Sequence, residues 1–319
     1  MWPGLSAVAS HWALGVTVSA VGADQPSAGT LLLLRHGQSV ANAEGRFAGW
    51  LDVPLTTCGE QEAMRAAQLM AEHAVRPDVV HCSALIRSRR TAEIVLETLN
   101  LSWVPIRSTW RLNERHYGGL QGRRKSDVRG AVSEQTFQHW RRAFHGRPPV
   151  SADQPDLPAD PRYAAVPAGA LPHGESLSDV QFRLMPYWEE AIAPDLRAGL
   201  VTLVVAHGSP LRALIMHLDA VGEAGIAMVN VPTGIPLRYD LDDHLLPRTP
   251  GGKYLDPAAA AAGAAEVAAE GSPPSRRQRC DTHGDESRGD QFEGAGRGQG
   301  LGEQEGDQDD ELHGPGLRW

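Results

Sequence analysis

Two apolar runs in this chain end in the same dipeptide. Thr30–Leu34 leads into Arg35-His36-Gly37, and Val201–Ala206 leads into His207-Gly208. Short Leu/Val runs of this kind read as strands buried on both faces. Between and after them, helical stripes alternate with further short runs. Thr57-Cys58-Gly59-Glu60 fits a capping box that opens a helix to about His73. Val79–His81 reads as a strand. Ala92, Val95, Leu96 and Leu99 then mark one face of a helix. Trp103–Ile106 suggests another strand, and Glu134–Ala143 some helix. A helix from Ser176 carries Val180, Leu184, Trp188 and Ala191 on one side. Pro210 suits a first helical position, with Leu211, Leu214, Ile215 and Leu218 following, and Ile235–Asp240 reads as the last strand. This alternation predicts an α/β fold: a mainly parallel central sheet with helices on both faces.

The pattern occupies one domain, residues 30–257, with a lid insertion over about 120–172, where prolines crowd. Residues 1–29 are small and apolar, and no Lys or Arg precedes Arg35. They lack the basic start of a secretory signal and are expected to be a disordered extension. Residues 258–270 are alanine-rich and predict a helix that could close over a pocket. Residues 271–319 hold 11 Gly, and 11 Asp or Glu against 6 Arg, so they are expected to form a disordered acidic tail.

Of the net charge of −9, the tail accounts for more than half, and no basic face of the kind that binds nucleic acid is expected. No apolar run approaches a membrane span. Cys58, Cys82 and Cys280 form no CxxC, so neither a zinc site nor a disulfide framework is expected. A reducing, cytoplasmic location follows as the expectation.

In an open α/β sheet, ligands bind at the carboxyl ends of the strands. His36 and His207 are therefore expected to face each other across one site. A lone histidine is more often structural, but two at equivalent strand ends weaken that reading. Arg35 precedes one of them, and Arg87 opens a helix after the Val79–His81 strand. Two arginine forks and helix N-termini suit a phosphate dianion. Nearby arginines also favour a neutral, nucleophilic imidazole. A covalent phosphohistidine would split one difficult transfer into two. The leaving alkoxide then needs an acid/base, and Glu114 in Leu112–Gly118 is the candidate. There is no HxH, HExxH or DxDxDG pattern, so no metal is expected.

From Leu31 to about Tyr254 the chain resembles the cofactor-dependent phosphoglycerate mutases of the histidine phosphatase superfamily. The resemblance rests on Arg35-His36-Gly37-Gln38-Ser39 with Asn42, on Arg46–Asp52, on Ser83–Arg87 and on Leu112–Gly122. It continues through Trp140-Arg141-Arg142, Gly174–Leu177, Ala206-His207-Gly208 and Pro232–Pro236. It implies that His36 accepts the phosphoryl group. Arg35, Arg87, Asn42 and His207 would hold the phosphate, and Glu114 would move the proton. Tyr117, Lys125, Arg141 and Arg142 would hold the rest of the substrate, the two arginines suiting its carboxylate. Ala48, Gly49, Gly208 and Ser209 would contribute backbone to the pocket.

The implied activity is interconversion of 3-phosphoglycerate and 2-phosphoglycerate, with 2,3-bisphosphoglycerate as phosphoryl primer. The implied partners are small phosphoglycerates, and a homo-oligomer is open. Two alternatives stand beside it: a phosphatase of the same superfamily, and a catalytically weak paralogue that binds a phosphorylated ligand. The chain departs from the family pattern at Gln38, Ala48 and Ser209-Pro210. The last change lies in the pocket and leads us to expect raised phosphatase side activity.

Overall fold

The computed structural model describes residues 29–150, 160–167 and 169–271. All but the last residue of the amino-terminal extension, Gly29, and all but the first residue of the acidic tail lie outside them. By contacts the chain divides into Met1–Arg277 and Gln278–Trp319, and every described residue belongs to the first unit.

The described chain opens with strand β1 (Gly29–Arg35), then helices α1 (Val40–Ala43) and α2 (Thr57–Glu72), strand β2 (Val79–Ser83), helix α3 (Ile86–Thr98) and strand β3 (Ile106–Thr109). Helices α4 (Lys125–Ala131), α5 (Glu134–Arg142) and α6 (Leu177–Tyr187) follow. Shortly after Pro186, which lacks the N–H an α-helix needs, the chain runs through a π turn, Trp188–Ile192, into α7 (Ala193–Arg197). Strand β4 (Val201–Ala206), helices α8 (Gly208–Leu218) and α9 (Glu223–Ile226), strands β5 (Leu237–Leu241) and β6 (Lys253–Tyr254), and helix α10 (Pro257–Ala269) complete it.

The sheet order is β3-β2-β4-β1-β5-β6. The first four strands are mutually parallel, and β5 and β6 add antiparallel pairings at one edge. The expected mainly parallel sheet is therefore present. Side chains alternate between its faces. Leu31, Leu33, Val204 and Ala206 pack with Leu184, Trp188 and Leu214 on one side. Leu32, Leu34, Leu203 and Val205 pack with Met70, Val95 and Leu96 on the other. Burying each leucine of β1 is worth about 1.5–3 kcal/mol, which anchors the strand that ends beside His36.

Several boundaries move from their expected positions. The third strand begins at Ile106 rather than Trp103, because Pro105 has no N–H and offers only its carbonyl, to Val80. Trp103 stands exposed. The cap of α2 is Thr56, whose hydroxyl accepts from the Gly59 N–H, one residue before the expected box. Within 120–172, α4 and α5 bury Val128 and Phe137 against Phe47 and Leu120. The helix expected over Glu134–Ala143 is α5, and α4 forms where irregular chain was expected. Residues 151–159 and 168 of the expected insertion lie outside the described residues. Cys82 is a free buried thiol.

Candidate active site

Register brings the two histidines together. β1 and β4 are neighbours, with Arg35 opposite Ala206, so the residues that follow each strand emerge side by side. The His36 N–H donates to Ala206 O at 3.0 Å, and the two imidazole centroids lie 4.8 Å apart. The turn after His36 is possible only for glycine. A Cβ on Gly37 would come within 2.0 Å of Gly59 O, and one on Gly59 within 2.0 Å of Gln38 O. The first turn of α2 thus packs directly on this loop.

His36 is 3% exposed, and its Nδ1 lies 2.7 Å from Gly37 O. A carbonyl can only accept, so Nδ1 carries the proton and Nε2 keeps its lone pair. Burial first, then Arg87 and Arg35, hold the His36 pKa well below its usual value, against a small opposing effect of the Gly37 bond. The pKa of His207 is likewise held well below the usual value by burial, then Arg87, His36 and Arg35. Both rings are therefore neutral near pH 7. A neutral His36 is a competent nucleophile.

Arg87, at the second position of α3 and 1% exposed, donates to Gly49 O and Leu51 O, both at 2.8 Å. Arg35 donates to Val231 O at 2.8 Å. These bonds leave other donors unused. Among the described residues, buried side-chain nitrogens and oxygens without a partner are Nε of Arg35, Arg87 and Arg115, Nδ1 of His207 and Oδ1 of Asn230. Three of the five surround His36. Buried donors normally find acceptors, so a group of them marks the place of an anion. Asn42 commits its amide oxygen to Ser39 N and Oγ, at 3.1 and 2.8 Å, which leaves its NH2 to the pocket it lines.

Glu114 lines the same pocket as His36. Its Oε1 accepts from the N–H of Arg115 at 2.7 Å and of Ser209 at 3.2 Å. The N–H of Ser209 was expected to serve a phosphate. It serves the Glu114 carboxylate instead, because the first turn of α8 points its free N–H groups at the nearest anion. The Glu114 loop is held from behind: Trp50 Nε1 donates to Glu114 O at 2.6 Å and Arg183 to Asn113 O at 2.8 Å. Arg183 is itself paired with buried Glu175 at 2.6 Å.

Ala48, Gly49, Tyr117, Lys125, Arg141, Arg142, Gly208 and Ser209 all line this pocket with Arg35, His36, Asn42, Arg87 and Glu114. His207 is buried against His36. The structure thus brings together every residue expected at the site. It also adds one the sequence reading missed. Glu270, just past α10, places Oε2 at 2.6 Å from Lys125 Nζ and 2.9 Å from Arg141, with Oε1 4.0 Å from Arg35. Arg141 and Arg142 also donate to Val267 O, at 2.7 and 3.1 Å. Burial works to raise the Glu270 pKa, but Lys125, Arg35 and Arg141 outweigh it and hold the carboxyl well below its usual range. The cradle of Lys125 and Arg141 therefore accepts a carboxylate. The available signal was that Glu266 and Glu270 are the only charged residues of the alanine-rich stretch 258–270, four positions apart.

Among the described residues no group of three His, Cys, Asp or Glu could hold a metal, and no helix is long and apolar enough to cross a membrane.

The family model of the histidine phosphatase superfamily (branch 1) matches residues 31–234. A 2,3-bisphosphoglycerate-dependent phosphoglycerate mutase of Thermobifida fusca is 52% identical over 233 residues, covering 72% of this chain and 94% of that protein. One from Rhodococcus jostii is 51% identical over 247 residues, covering 77% and 98%. Among solved structures, a mycobacterial glucosyl-3-phosphoglycerate phosphatase superposes with a TM-score of 0.51 at 25% identity, covering 66% of this chain and 90% of that one.

Proposed function

The chain belongs to the histidine phosphatase superfamily and, within it, to the 2,3-bisphosphoglycerate-dependent phosphoglycerate mutases; from that membership we propose how its own residues interconvert 3-phosphoglycerate and 2-phosphoglycerate. The observation that carries the proposal is the set of unpartnered buried donors, Arg35 Nε, Arg87 Nε and His207 Nδ1, around the free Nε2 of His36. They fit the oxygens of a phosphoryl group held for in-line attack by that nitrogen.

The residues divide the work. Arg35, Arg87, Asn42 and His207 hold the transferring group and its developing charge. Lys125, Arg141 and Arg142 hold the carboxylate end, as the grip of Lys125 and Arg141 on Glu270 supports. The fit of two anionic ends to two cationic clusters extends to 2,3-bisphosphoglycerate, which when bound supplies the phosphoryl group that primes His36. Glu114, through the oxygen not bonded to Arg115 and Ser209, takes the proton of the attacking hydroxyl and returns one to the leaving oxygen. The partners are phosphoglycerates, and the chain works in a cytoplasmic compartment.

A second activity, hydrolysis of the bisphosphorylated species, is favoured by one observation. Ser209 gives its N–H to Glu114 and Pro210 has none, so the start of α8 has two fewer donors to exclude water with. The test is to incubate the protein with labelled bisphosphoglycerate and map the acid-labile phosphate. Label on His36 supports the proposal. Label elsewhere, or none, contradicts it.

A further inference from the structure

His207 has a second neighbour that the roles above do not use. Ser83 ends β2, the strand beside β4, and is fully buried. Its Oγ lies 2.7 Å from His207 Nε2. The same Oγ accepts from the Leu85 N–H at 3.1 Å. The loop is fixed further by Ser88, whose Oγ accepts from the Ser83 N–H at 3.2 Å and donates to Val205 O at 2.7 Å.

A serine hydroxyl has one hydrogen and two lone pairs. Leu85 fills one lone pair. If Ser83 also accepted from a protonated Nε2, its own hydrogen would be buried with no acceptor, at the full cost of an unmade bond. Donation to an unprotonated Nε2 satisfies every atom of the pair. A neutral imidazole has one proton, so that proton then sits on Nδ1. His207 Nδ1 is the atom left buried without a partner beside His36.

We infer that Ser83 is a positioning residue for phosphoryl transfer: by donating to Nε2 it fixes His207 as the Nδ1–H tautomer, a neutral donor aimed at the phosphoryl oxygens. The inference rests on the proposed reading of the pocket as a phosphoryl site. The opposite tautomer would turn a lone pair toward an anion and repel it. The two imidazoles would thus share one tautomer and perform opposite tasks. Gly37 O leaves His36 a bare Nε2 for attack, and Ser83 leaves His207 an Nδ1–H for stabilisation.

The experiment uses the full chain labelled with nitrogen-15 histidine. Long-range proton–nitrogen spectra near neutral pH report which ring nitrogen bears the proton, and the His207→Gln variant assigns the signals. The expected result is a protonated Nδ1 and an unprotonated Nε2 on His207. The Ser83→Ala variant should lose that single tautomer and lower kcat by about 10- to 100-fold, the size of one hydrogen bond to a charged group, with a smaller change in KM. The Ser83→Thr variant, which keeps the hydroxyl, should restore both. A protonated Nε2 in the unmodified protein overturns the inference even if neither variant folds. So does a Ser83→Ala protein with the same tautomer and kcat. An unmodified protein that shows the expected tautomer but no mutase activity overturns the functional reading instead.

Discussion

His36 and His207 are equally buried and lie under the same arginines, yet their neighbours give them different work. The Gly37 carbonyl holds the proton of His36 on Nδ1 and leaves Nε2 bare. Because burial and Arg87 depress both imidazoles, neither protonates as pH passes through 6.5. The His36→Ala variant removes the acceptor itself. We expect mutase activity to fall by about 10^4-fold or more, with no acid-labile phosphate incorporated. A steady-state assay beside a trapping experiment checks this, and retained labelling would contradict the assignment. At this scale the sequence was informative where a residue type is tied to a strand end, as for His36, His207 and Arg87. It was silent on Ser83 and Glu270, whose partners are distant in the chain and whose roles depend on which hydrogen bonds remain unfilled.

Two elements border the pocket. The first is the start of α8. The Ser209 N–H is bonded to Glu114, and Pro210 contributes no donor. The double change Ser209→Asn with Pro210→Ser should lower the ratio of bisphosphatase to mutase activity by about tenfold, a modest hydrogen bond in rate. An unchanged or raised ratio would show that the two positions do not govern access of water. The second is α10, which brings Glu270 onto Lys125 and Arg141. In the proposed reading a phosphoglycerate carboxylate displaces it. Glu270→Gln keeps the shape and weakens the competitor, so KM should fall roughly fivefold, the equivalent of ~1 kcal/mol for a partly exposed ion pair. A rise in KM would mean that Glu270 helps to bind substrate. The helix itself was legible from its alanines, and so was its capacity to close over the pocket. The register of β3 was not legible, because an edge strand that is half exposed carries little apolar pattern and Pro105 shifts its start.

Over the whole molecule, an excess of buried cations sits in one pocket of a chain whose net charge is negative. That segregation suits a polyanionic substrate and leaves stability dependent on pH. Burial holds His36 and His207 well below their usual value, and burial, then His173 and Arg183, push His116 down to about 4. The unfolded chain protonates these groups near pH 6.5 while the folded chain does not. It therefore binds more protons, and stability falls as pH drops from about 6.5 toward 4. A loss of about 3 kcal/mol across that window corresponds to a fall in Tm of roughly 6–12 °C for a chain of this size. Thermal melts at the two ends of the window check it, and a flat profile would mean that these imidazoles charge freely in the folded state. The central claim is that this pocket passes a phosphoryl group between the two hydroxyls of phosphoglycerate through a primed His36. The most direct measurement is the rate of 2-phosphoglycerate formation from 3-phosphoglycerate, with and without added 2,3-bisphosphoglycerate. The account predicts turnover that rises with the added bisphosphate and saturates. Release of inorganic phosphate with no 2-phosphoglycerate formed, at any bisphosphate concentration, would contradict it.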